Sequence, residues 1–196
     1  MKSKILFGTN NKDKLREIRE LVGDHLQILS LADIALNMDV EETEPDLEGN
    51  ARLKAEAFAE AANLPCFADD TGLEVVALDG APGVITARYA GPNCSPDDNI
   101  DKLLLELTGT ENRSAQFRTV IAYHDGTQTK YFEGAVQGEI LTQRTGIGGF
   151  GYDPVFQPTG YVQSFAEMSP EAKNQISHRG RAVQKFVEYI LQQSTS

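Results

Sequence analysis

The hydrophobic pattern changes period twice within the first thirty residues. An unbroken apolar run, Ile5 to Phe7, ends at Gly8 and reads as a short strand over residues 4–8. Apolar residues then recur as Leu15, Ile18, Leu21 and Val22, the spacing of one helical face, so the chain opens as β-turn-α. LQILS, residues 26–30, predicts a second strand, and the acidic stretch VEETEPDLEG predicts a loop. Residues 50–62 are rich in alanine. Leu47, Ala51, Ala55, Phe58 and Ala62 fall on one helical stripe, and a helix packed beside a sheet follows.

Residues 66–68 predict a third strand, followed by LEVVAL and a segment punctuated by glycine and proline, GAPGVITARYAGPN. Ser95 before Pro96 marks a helix start, with the apolar face carried by residues 100–107. RSAQFRTVIAYHDGTQTKYFEGAVQGEI alternates on both sides of Asp125 and Gly126, which predicts a hairpin. QRTGIGGFGYDPVFQP holds too much glycine for a regular element. SHRGRAVQKFVEYILQQ predicts a closing helix with Ser177 as N-cap and Ala182, Phe186, Tyr189 and Ile190 inward. This order of elements predicts an α/β fold, a three-layer α/β/α arrangement on a mixed central sheet, and residues 1–196 are expected to form a single domain.

Composition narrows the function classes. Hydrophobic residues make up 40% and charged residues 24%, as in ordinary globular proteins. The first apolar run is far shorter than a signal-peptide core or a membrane span, so a cytoplasmic protein without a membrane partner is expected. With 18 basic against 29 acidic residues the net charge is −11, which repels a polyanion, and nucleic acid is not an expected partner. A small anion needs local lysines, backbone N–H groups or a metal ion. The two cysteines, Cys66 and Cys94, have no CxxC spacing, so neither a disulfide framework nor structural zinc is expected.

Four stretches carry candidate chemistry. GTNNKDK, residues 8–14, joins the first strand to the first helix, where helix N–H groups favour phosphate and Lys12 and Lys14 add charge; helix capping alone is the competing reading. FADDTGLEV places Asp69 and Asp70 at a strand end, where one or two carboxylates hold Mg²⁺ together with substrate phosphates. If the strand ran through both, their side chains would face opposite ways; an exposed Asp-rich turn is the alternative. Glu41 and Glu42 lie in a separate acidic loop. In GGFGYDP, residues 148–154, glycines allow close approach of a flat ligand and Phe150 offers a stacking face, although a tight structural turn has the same composition. KNQISHRG gathers Lys173, His178 and Arg179 at a helix start, a donor-rich site for a carbonyl or phosphate, against a capping or packing role for the histidine.

Taken in order, TNNKDKLREI, NARLKAEA, FADDTGLEV, GAPGVITARYAG, GGFGYDPVF and EAKNQISHRG resemble the inosine triphosphate pyrophosphatase family along nearly the whole chain. The resemblance implies hydrolysis of aberrant purine nucleoside triphosphates, ITP, dITP and XTP, to the monophosphate and pyrophosphate. It implies two lobes around a cleft, a homodimer, and Mg²⁺ as cofactor. Thr9, Asn10, Asn11, Lys12, Asp13 and Lys14 match the nucleotide-binding turn, with Lys54 a further phosphate cation and Thr71 beside the substrate. Asp70 matches the proton acceptor and a magnesium ligand, Glu41 the second metal carboxylate, and Asp69 orients or shares the metal. Phe150, Gly151, Tyr152 and Asp153 with Lys173, His178 and Arg179 match the base and sugar site, and Arg179 or N–H groups near His178 are expected to donate to the 6-keto oxygen. Two positions depart from the family pattern: Asn10 stands where glycine is common, and Gly49 where many members carry a second glutamate after Glu48. The rival readings are a pyrophosphatase for pyrimidine or modified nucleotides and a non-catalytic nucleotide-binding module, which would have no need of acidic metal ligands.

Overall fold

A computed structural model describes residues 4–193. The opening is β-turn-α: strand β1 (Lys4–Phe7) leads into helix α1 (Lys12–Val22). The Asn11 side chain caps α1, and Gly23, at φ +52°, ends it in the left-handed region that glycine enters without cost. Strand β2 (Gln27–Leu29) follows, then helix α2 (Leu47–Ala62). Helix α2 begins three residues before the alanine-rich pattern, because Asp46 accepts the Gly49 N–H at 2.7 Å and so caps the chain earlier than periodicity shows.

Strand β3 (Cys66–Val75) is longer than expected. It continues through Asp69 and Asp70, both buried, so the exposed Asp-rich turn is ruled out. Strand β4 (Pro82–Gly83) pairs with its end. Helix α3 (Pro96–Glu106) starts at Ser95, and Asp98 completes a reciprocal cap. Strands β5 (Ser114–His124) and β6 (Thr129–Ile140) form the hairpin predicted at Asp125-Gly126. The glycine-rich segment ends in a short strand, β7 (Phe156–Pro158), that sequence reading missed.

The closing helix begins where predicted, at His178, and a short helix that sequence reading missed precedes it. Helix α4 (Pro170–Ile176) is capped by Ser169, and α5 (His178–Gln193) follows. Ser177, expected as an N-cap, stands directly before the first residue of α5, and its N–H also closes α4 by donating to the Lys173 carbonyl at 2.9 Å.

Among the described residues the strands join in the order β2-β1-β3-β5-β6-β7, with β4 on β3. Pairing of β1 with β2 and β3 is parallel, and β3–β4 and β6–β7 are antiparallel, which makes the sheet mixed as expected. The chain divides into two compact units. The first runs through Asp70 and adds Thr119–Gly134 and the segment from Arg179; the second comprises Thr71–Arg118 and Ala135–His178. Strands β3, β5 and β6 contribute residues to both.

Each unit has its own core. In the first, Phe7 stacks on Phe67 at 4.5 Å and Phe67 meets Phe186 at 4.7 Å, with Ile18, Val22 and Ile190 around them. In the second, Phe117, Phe156 and Phe165 pack with Leu73, Ile100 and Leu103. Both cysteines are free, and burial pushes the Cys66 thiol up to about 12, so it is a small apolar filler. No described helix is long and apolar enough to cross a membrane.

Candidate active site

The first unit builds a charged cluster at the ends of β1 and β3. Gly8 ends β1 pressed against helix α2: a Cβ there would stand 2.4 Å from the Phe58 ring. In the turn that follows, Thr9 Oγ1 accepts the Asn11 N–H at 3.1 Å, and Asn11 Oδ1 accepts the N–H groups of Asp13 and Lys14 at 2.9 and 3.0 Å. Thr9 and Asn11 therefore shape the turn and cap α1. Asn10 points elsewhere, donating to Met38 O at 3.1 Å and to Asp39 Oδ1 at 3.3 Å. Lys12 is exposed, and Asp13 pairs with Arg16.

The adjacent aspartates of β3 face different partners, as alternation along a strand requires. Asp69 Oδ1 is 3.0 Å from Lys14 Nζ, and Oδ2 accepts from Arg179 Nε at 3.2 Å. Burial alone would raise the Asp69 carboxyl, but Lys14 and Arg179 outweigh it and hold the group well below the usual carboxylate range. Arg179 is buried, and its Nη1 also donates to Glu17 on α1. Arg179 Nε and Nη1, in the group expected at the base, are engaged by Asp69 and Glu17.

Asp70 has a different environment. Its Oδ1 lies 3.5 Å from Lys54 Nζ, and its buried Oδ2 has no hydrogen-bond partner among the described residues. Burial pushes this carboxyl up, Lys54 opposes, and Glu42 adds to the rise. Lys54 reaches Glu42 Oε1 at 2.6 Å, so one ammonium bridges two carboxylates. Burial would lower the Lys54 ammonium, but Asp70 and Glu42 outweigh it and keep it charged. The acidic loop thus brings Glu42 to Lys54, whereas Glu41 is exposed.

The second unit builds an aromatic and cationic cluster around the glycine-rich turn. Asp153 Oδ2 accepts the Phe150 N–H at 2.8 Å and Lys173 Nζ at 2.7 Å. A Cβ at Gly149, φ +70°, would fall 2.1 Å from that oxygen, so the turn closes around Asp153 only with glycine there. The Lys173 ammonium lies 4.9 Å from the Phe150 ring centre, giving the half-buried ring a cation on one side. His178 stacks on Phe117 at 4.6 Å and 16°. Phe165 packs between these groups, 5.7 Å from the Lys173 ammonium and 6.4 Å from the His178 ring. Tyr152 belongs to the core, its hydroxyl donating to Thr86 O at 2.9 Å. Gly151 adopts φ +59°, and Thr71 is half-buried on β3.

Sequence reasoning missed Glu17, Asn50, Phe117 and Phe165. Glu17 had a signal: it lies three residues after Lys14 and next to Ile18, so the helical period sets it on the buried flank of α1.

A family model matches residues 5–189. The chain belongs to the Ham1 family. A dITP/XTP pyrophosphatase from Porphyromonas gingivalis is 51% identical over 189 residues, spanning 96% of this chain and 97% of the relative. Another dITP/XTP pyrophosphatase, from Christiangramia forsetii, is 48% identical over 187 residues, 95% of this chain and 98% of its own. The Ham1 protein of Staphylococcus aureus, a solved structure, shares 41% identity and a TM-score of 0.88, covering 97% of this chain and 100% of that one. The extent of these Ham1 matches puts both clusters within the shared fold.

Proposed function

We propose that this chain hydrolyses aberrant purine nucleoside triphosphates, ITP, dITP and XTP, to the nucleoside monophosphate and pyrophosphate. The observation that carries the reading is the contrast within β3: Asp69 is neutralised by Lys14 and Arg179, while Asp70 keeps a buried carboxylate oxygen with no hydrogen-bond partner among the described residues. A carboxylate so placed is suited to take a proton from water as that water attacks the α-phosphorus. The identity to relatives named dITP/XTP pyrophosphatases supports the substrate class.

The donor set fits magnesium. Among the described residues no group of three or more His, Cys, Asp or Glu gathers for a metal, and Mg²⁺ binds through one or two carboxylates, waters and substrate phosphates. Asp70 and Glu42, which share the single ammonium of Lys54, would hold it; Glu41 is exposed, and Asp69 is enclosed by two cations, Lys14 and Arg179. When bound, the cation offsets triphosphate charge. Lys54 and Lys12 add positive charge.

The second unit's residues carry the base. Phe150, held by its N–H on Asp153, offers a ring for stacking. Hypoxanthine and xanthine present a 6-keto acceptor where adenine presents a donor, and N–H groups around His178 are the donors proposed for that edge. The family resemblance further supports a cytoplasmic homodimer.

The test is a panel of ITP, dITP, XTP, GTP, ATP, dTTP and UTP, with Mg²⁺ and with chelator, assayed for pyrophosphate against phosphate. Pyrophosphate from ITP, dITP and XTP, with little from ATP and none in chelator, is expected. Equal turnover of ATP, a pyrimidine preference or no turnover at all would overturn the reading.

A further inference from the structure

The acidic loop between β2 and α2 lacks regular structure over residues 36–43, yet it is fastened at several points. Met38 and Val40 pack against the cluster of Leu6, Leu31, Phe58, Ala59 and Cys66. At the far end, the buried Asn50 carboxamide clasps Glu44, accepting its N–H at 3.0 Å and donating to its carbonyl at 3.2 Å. Gly49 belongs to the same clasp, because a Cβ there would come within 2.6 Å of Glu44 Cβ. At the near end, Asn10 Nδ2 donates to Met38 O and Asp39 Oδ1. Glu42, the residue that meets Lys54, lies between the two fastenings.

We propose that Asn10 is a positioning residue: its carboxamide latches the phosphate turn to the 38–42 segment and so sets where Glu42 stands against Lys54 and Asp70. The inference rests on the reading of Asp70 and Glu42 given above, and it moves Asn10 from substrate contact to support of the site. The backbone at Asn10 is outside the left-handed region, so what distinguishes this position from a glycine is the carboxamide and not the torsion. Glycine or alanine cannot make either bond, and the segment would then depend on the Asn50 clasp and the packing of Met38 and Val40. A carboxylate that helps place the reacting groups loses effect steeply when its support loosens.

A double-mutant cycle tests the coupling. The kcat and KM for ITP are measured in wild type, Asn10→Ala, Glu42→Gln and the double variant, with hydrogen exchange across residues 38–44 in wild type and Asn10→Ala. Asn10→Ala is expected to lower kcat about tenfold with KM within about twofold, and to lose most of that effect in the Glu42→Gln background. Exchange at residues 40–43 should quicken while α1 is unchanged. Equal effects of Asn10→Ala in both backgrounds, a rise in KM in place of the fall in kcat, or unchanged exchange would overturn the latch. A wild type inert toward ITP would instead overturn the proposed function, and the exchange measurement would still decide whether the latch exists.

Discussion

Asp69 and Asp70 are neighbours on one strand with opposite electrostatic surroundings. Asp69 is held between Lys14 at 3.0 Å and Arg179 at 3.2 Å, whereas Asp70 has Lys54 at 3.5 Å and a second oxygen without a hydrogen-bond partner among the described residues. Two like charges are tolerated side by side because the pleat turns them apart and three cations from different elements meet them. Asp69 is thereby tied into the fold, and Asp70 is the carboxylate proposed for the chemistry.

Asp70→Asn retains shape and an oxygen while removing charge and basicity. Turnover of ITP should fall about 100-fold or more, with nucleotide binding preserved. Steady-state kinetics with equilibrium titration of a slowly hydrolysed ITP analogue check this; a kcat within a few-fold of wild type would remove Asp70 from its role.

Arg179→Ala leaves Asp69 and Glu17 buried without their shared guanidinium. Removing one partner of such a buried network costs about 3–5 kcal/mol, so the variant should unfold at much lower urea. Among the molecules still folded, the ITP-over-ATP preference should persist, because in the proposed site the guanidinium anchors Asp69 and other donors read the base. A lost preference at unchanged stability would restore the direct role expected from SHRG.

Phe150→Ala removes the ring beneath the Lys173 ammonium. Loss of one stacking platform is worth about 1–3 kcal/mol, so KM for ITP should rise roughly 5- to 100-fold with a smaller change in kcat. An unchanged KM would place the base elsewhere.

Acid should weaken the hairpin through Asp125. The Gln128 N–H, with the Thr127 hydroxyl and N–H, donates to this carboxylate and holds it down at about 2. Because the folded value lies below the unfolded value of about 3.9, the stabilisation is present in full above that range and is lost as pH falls toward about 2. Solvent screening keeps the effect small. Asp125→Ala should cost about 1 kcal/mol at pH 7 and clearly less at pH 3, read from urea midpoints. An equal cost at both pH values would contradict the mechanism.

Local signals made the hairpin, the Ser95 helix start and the β-turn-α opening legible, since Asp-Gly, Ser-Pro and the change of hydrophobic period all act over a few residues. The same local logic hid α4: seven residues carry too few turns for a periodic signal. Asp69 and Asp70 were legible as a site, but their partners were not. The Arg179 that fixes Asp69 is 110 residues away, and no spacing rule joins them. The depth of Tyr152 was not legible, because a motif gives residue types without depth: Phe150, two positions earlier, is half-buried, while Tyr152 belongs to the core. Glu41 and Glu42 differ by a single register step that only the folded loop resolves.

The central claim is that water, deprotonated at Asp70, attacks the α-phosphorus. Hydrolysis of ITP in water enriched in heavy oxygen, followed by mass analysis of both products, tests it most directly. The label is predicted in the nucleoside monophosphate, with unlabelled pyrophosphate. Label in the pyrophosphate, or release of labelled phosphate with a nucleoside diphosphate, would contradict the account.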